Sequence, residues 1–228
     1  MTYFKAIRSD GTSFHDLSFT WSTEPGGITR HPGGNIAETD SSTLTIDAAY
    51  YLSVSTVPTD CTGMRWPCRL LEVEPVGDTW QPDARDLPNK VAGLGFRTVR
   101  ELPAHEVFGP QGALVVALID RASRLSRDQA LSLAAAWVAA WAAAGVAAWD
   151  AARVAAGVAA RDAARAAACA AAWDAAWAAA GAAAWAAAWD AAGALIVRDL
   201  ITDDAYRVLT APWESVVGPI DTLLDGTP

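Results

Sequence analysis

Glu72 and Glu74 stand two residues apart in the run Arg69-Leu70-Leu71-Glu72-Val73-Glu74. The run is apolar enough to read as a strand, and a period of two puts both carboxylates on one face. The commoner reading of such a pair is a solvated face on an edge strand. A catalytic reading needs partners, and Arg8 and Ser42-Thr43 precede the pair in the chain. Other chemistry is thinly represented. His15, His31 and His105 each stand alone, and Cys61 and Cys68 are separated by six residues. That spacing is not a zinc knuckle, so no metal site is expected. No Gly-x-Ser-x-Gly nucleophile elbow occurs. Gly93-Leu94-Gly95 lacks the third glycine of a dinucleotide loop, and Pro32-Gly33-Gly34 lacks the Lys-Ser/Thr of a phosphate loop. Both read as turns.

Taken in chain order, Arg8, Ser42-Thr43 and Glu72-Val73-Glu74 resemble the arginine, the Ser/Thr-rich strand and the Glu-x-Glu of the arginine-specific ADP-ribosyltransferases. That resemblance implies carboxylates that hold a ribose and stabilise a cationic transition state. The spacings here are shorter than that family's.

The elements that would position these residues fall into two contrasting halves. Residues 133–192 divide into fifteen tetrads, each with alanine at its third and fourth places. The first places include Trp137, Trp141, Trp149, Trp173, Trp177, Trp185 and Trp189, with Arg153, Arg161 and Arg165 between the two tryptophan groups. Alanine is the best helix former and a poor strand former, and no proline occurs between Pro110 and Pro212. The cadence therefore predicts α-helix. Four residues overshoot one turn by about 40°, so first places spiral and return after nine tetrads. Two geometries follow. One is a straight rod about 100 Å long with two indole patches on one side. The other is a hairpin turning near Gly157. Either way, exposed indoles form a patch of the kind that marks an interaction surface. Replication slippage of a twelve-nucleotide unit is the bland account of the same repeat.

In the first half, residues 2–7, 19–21, 43–46, 69–73 and 96–101 read as strands. Residues 24–35, rich in Gly and Pro, read as loop, and Asp47 reads as the cap of a short helix. Helix is expected from Gly112. Thr202 is placed to cap a helix over 203–209 that Pro212-Trp213 ends, and the apolar segment 195–201 should pack back as a cap. Tyr3-Phe4-Lys5-Ala6, Leu44-Thr45-Ile46-Asp47-Ala48-Ala49-Tyr50, Arg69-Leu70-Leu71-Glu72-Val73-Glu74 and the stretch from Lys90-Val91-Ala92 to Leu102 together resemble a domain of unknown function. That domain occurs in bacteriophage and actinobacterial proteins, some with alanine-rich tails that end much like residues 195–201. Asp40-Ser41-Ser42 stands where that family carries a cysteine-containing segment, and the family implies no activity.

The predicted fold is α+β. A small mixed domain spans 1–110, a helical repeat arm (one long helix or a helical hairpin) spans 111–194, and a capping segment spans 195–228. Formal net charge is -9, and neither half is basic, so a nucleic-acid partner is not expected. Lys5 and Lys90 are the chain's two lysines among 17 basic residues, an arginine bias that fits a GC-rich genome. Three cysteines make no disulfide framework and the N-terminus has no secretory pattern, so a cytoplasmic location is expected. The uncharged stretch 129–149 is long enough to span a bilayer, but charges downstream would be costly there. The leading expectation is a non-enzymatic protein without cofactor that self-associates through its arm. The alternatives are an ADP-ribosyltransferase-like enzyme and a membrane-associated arm.

Overall fold

The computed structural model describes residues 1–14, 19–32, 51–61, 64–82, 88–158 and 182–225. The chain is mixed α/β and divides into two compact units, Met1–Val107 and Phe108–Pro228.

The first unit is built on a seven-stranded sheet whose recorded pairings are all antiparallel. Its strands are β1 Tyr3–Ile7, β2 Ile28–Arg30, β3 Leu52–Ser55, β4 Arg69–Pro75, β5 Thr79–Trp80, β6 Lys90–Gly93 and β7 Gly95–Leu102. They lie in the order β2-β7-β4-β1-β3-β6-β5. Alternate side chains along β1, β3 and β4 share one face of the sheet. One face therefore gathers Tyr3, Ile7, Leu52, Val54, Leu71 and Val73 with Trp21 and Phe96 into a buried core.

Several local expectations need correction. Residues 19–21 form no named strand; a single bridge joins Thr12 to Thr20, and Trp21 fills the core instead. The stretch read as loop contains β2, because a turn at Gly26 (φ +83°) sends Ile28–Arg30 back along β7. The expected strand 43–46 and the helix capped by Asp47 lie outside the described residues. So do His15, Gly33, Gly34 and Ser42-Thr43.

The second unit is helical. Its helices are α1 Gly112–Ser123, α2 Arg127–Val158, α3 Ala182–Ile196 and α4 Asp203–Val217. The described tetrads are thus helical, as alanine's propensity requires. They do not form one straight rod. The Trp137 indole N–H donates to Asp190 Oδ2 at 3.0 Å. Fifty-three residues of continuous helix would hold those two groups about 80 Å apart. The chain therefore doubles back, and α2 lies beside α3.

The helix α3 packs against α1, α2 and α4. Ala186, Ala187, Ala188, Ala191, Ala192, Ala194, Leu195 and Ile196 are all buried. A helix apolar on every side must be enclosed, and small side chains let three neighbours approach its axis closely. Leu195, Ile196 and Val197 are buried in this core, as packing back of the segment requires. The α4 cap behaves as expected, with Ala205 N–H donating to the Thr202 hydroxyl at 3.2 Å. The helix nonetheless continues through Pro212 to Val217. Full burial of Trp213 at 0% exposure explains the override, since anchoring that indole offsets the lost backbone bond at the proline.

Candidate functional site

Three arrangements bear on function, two in the sheet unit and one in the helical unit. The first is the Glu-x-Glu. The strand β4 lies between β7 and β1, so the pair is not on an edge. Glu72 Oε2 accepts from Arg100 Nε at 2.5 Å, and Glu74 Oε1 accepts from Arg97 Nη1 at 2.7 Å. Arg97 and Arg100 are three apart, which simple alternation would put on opposite faces. A register shift opposite Glu72/Val73 inserts Val99 as an extra residue and brings both arginines to the glutamate side. Arg8 does not join them. Phe4 is the β1 residue opposite Glu72, and Arg8 lies four residues further along, roughly 13 Å away at strand rise. Its nearest ion pair is Asp10, at 3.9 Å. The two glutamates thus serve as cross-strand partners of arginines, and Arg8 belongs to a different end of the sheet.

The second arrangement was missed in the sequence. Lys5 and Lys90, on β1 and β6, flank β3 in the sheet. Lys90 is buried and donates to Ser55 Oγ at 3.0 Å, while the Ser55 hydroxyl donates to Asp60 O at 2.8 Å. Asn89 Nδ2 donates to the Asp60 carboxylate. Lys5 keeps some surface, yet its ammonium is enclosed. It donates to Ser53 O at 3.0 Å and lies 5.1 Å from the centre of the Trp21 ring. Burial, and then the charge of Lys90, bring the Lys5 amine down to about 8. Burial also lowers Lys90. The buried free thiol Cys61 interacts with both lysines, and the buried free thiol Cys68 interacts with Cys61. Burial pushes Cys68 up to about 12 and raises Cys61 despite the nearby Lys90 charge. The restriction of lysine to two positions was visible in the sequence. That they stand on the two strands flanking β3 depends on β1–β3 and β3–β6 pairing, which no local pattern encodes.

The third arrangement is the arm. Trp137 and Trp141 stack at 6.3 Å with an interplanar angle of 9°, as i, i+4 neighbours on a helix can. Trp137 is anchored by Asp190, which is 4% exposed. Trp189 is half-buried. Trp141 is 39% exposed, with Leu131 at 56% and Val138 at 55% on the same helix. Ala135 and Ala142 are exposed too. Positions 131, 135, 138 and 142 advance by four, three and four residues, the spacing of one apolar seam. Trp149 and Trp185 lie on α2 and α3, whereas Trp173 and Trp177 lie outside the described residues. Of the spiral's basic side, Arg161 and Arg165 lie outside as well.

Among the described residues no cluster of three or more His, Cys, Asp or Glu is placed to hold a metal. Among them, too, no helix is long and apolar enough to cross a membrane. Comparison with family models, curated proteins and solved structures finds no match to this chain.

Proposed function

We propose that the protein is a non-enzymatic interaction protein that pairs with a second copy of itself through the outer face of α2. The observation that carries this reading is the seam Leu131, Ala135, Val138 and Ala142 with Trp141 beside it, apolar and exposed within its own unit. Two such seams, laid together, would remove leucine, valine and indole surface from water at about 25 cal/mol per Å2. Alanine at alternate seam positions would let the two backbones approach closely. Among the residues whose burial is described, the indole most open to solvent is Trp141. Trp137 is tied to Asp190 and serves the fold of its own unit, so its replacement would confound folding with pairing.

Sedimentation velocity on the intact protein and on Leu131→Glu/Val138→Glu tests the idea. The chain should sediment at twice its mass of 23.9 kDa, and the variant at the single-chain mass with unchanged helical circular dichroism. A wild-type chain that stays monomeric across the whole accessible concentration range would sink the proposal.

A further inference from the structure

A cleft of about 370 Å3 opens in the sheet unit between Arg8, Ser9, Asp10 and Phe14 on one side and Arg65, Trp66 and Pro67 on the other. Its size lies in the range of small-molecule sites, about 300–1,000 Å3. The sequence builds it from the turn that follows β1. Arg8 N–H donates to Thr12 O at 2.9 Å and Gly11 N–H to Arg8 O at 3.0 Å, with Gly11 at φ +88°, where a side chain would be strained. This turn fixes Arg8 and Asp10 at the rim. The facing segment, residues 64–67, leads directly into β4.

The chemistry of the lining is specific. Two arginines, Arg8 and Arg65, line the cleft, and a guanidinium offers the planar fork that matches a carboxylate. Arg65 is exposed and, among the described residues, makes no ion pair or hydrogen bond. Arg8 has only the long 3.9 Å approach of Asp10. Asp10 is occupied elsewhere, accepting from Thr12 N–H at 3.0 Å and from the Thr12 hydroxyl at 2.6 Å. Those bonds hold its carboxyl below the usual range, so it stays ionised and the lining carries one net positive charge. That balance suits a monoanion better than a dianion. The half-buried rings of Trp66 and Phe14 supply apolar walls suited to a flat ring.

We propose that this cleft binds a planar aromatic monocarboxylate, its carboxylate on Arg8 and Arg65 and its ring against Trp66 and Phe14. The site is independent of the α2 seam and lies in the other unit. Titration calorimetry on the intact protein, with four probes, tests it. 2-Naphthoate should bind saturably. Acetate, which lacks the ring, and 2-naphthalenemethanol, which lacks the charge, should each bind at least about tenfold more weakly. Arg65→Gln and Trp66→Leu should each weaken naphthoate by about tenfold, and Arg65→Gln should leave the unfolding midpoint within error, Arg65 being at the surface. Absence of saturable naphthoate binding, or affinity unchanged in Arg65→Gln, would overturn the assignment. Acetate binding as tightly as naphthoate would remove the aromatic requirement. Tighter binding of 2-naphthyl phosphate would remove the preference for a monoanion.

Discussion

Lys5 carries a consequence that its neighbours sharpen. In the unfolded chain its amine titrates near the ordinary 10.5, and in the folded protein near 8. Between those values the unfolded state holds more protons, so stability rises with pH across that window. Below about pH 8 both states are protonated and the full cost of enclosing the ammonium stands. Lys90 is shifted in the same direction. The buried thiols act oppositely. Cys68 moves from 9.0 to about 12, so above pH 9 the folded state holds the extra proton and stability falls. Denaturant midpoints should therefore climb from about pH 8 to 9 and then level off. Lys5→Met should flatten that climb and raise stability at neutral pH by at most about 3 kcal/mol. Cys68→Ser should extend the climb toward pH 10. A midpoint independent of pH between 7 and 9 would contradict the enclosed ammonium. None of this was legible beforehand beyond the scarcity of lysine. By contrast, the shared face of Glu72 and Glu74 could be read from period two. Their partners Arg97 and Arg100 could not, because an extra residue in β7 breaks the alternation that a reader would apply. Those exposed pairs should matter little. Glu74→Gln is expected to cost less than about 1 kcal/mol in chemical unfolding.

At the scale of elements, the tetrads announced helix because nothing else suits alanine at two of every four places. The return of the chain was not announced, because a uniform cadence marks no stopping point. What revealed it was one long-range hydrogen bond between an indole and a carboxylate. Removing that acceptor leaves a half-buried indole N–H and a void beside α2. Asp190→Ala should therefore destabilise the helical unit by roughly 1–3 kcal/mol, read as a lowered thermal midpoint. The cap on α4 was readable from Thr202 and the acids that follow it. Thr202→Ala should cost about 1 kcal/mol. The far end of α4 was misread because proline usually stops a helix, and only the burial of Trp213 shows why this one does not.

For the whole molecule, the division into a sheet unit and a helical unit follows from where β-branched and aromatic residues give way to alanine. The order of the strands does not follow from any local signal. The sheet runs β2-β7-β4-β1-β3-β6-β5, so neighbours in space are mostly distant in sequence. Such non-local pairing is slow to form. The helical unit is no simpler in contact range, since α2 and α3 meet across a long separation. The expected pairing of two chains belongs at this scale too, because the seam on α2 is left exposed by its own unit. Variants of that seam should change sedimentation without changing the unfolding midpoint, whereas Asp190→Ala should do the reverse.

Ala139 and Ala187 occupy the same third place in their tetrads. One is exposed on α2, and the other is 0% exposed within α3. Copies of a unit that look interchangeable on paper thus live under opposite constraints. Enlarging the first to valine should pass almost unnoticed, while the same change at the second overfills a closed core and should cost about 1–3 kcal/mol. Mutational tolerance along the repeat should therefore follow depth in the bundle and ignore place in the cadence.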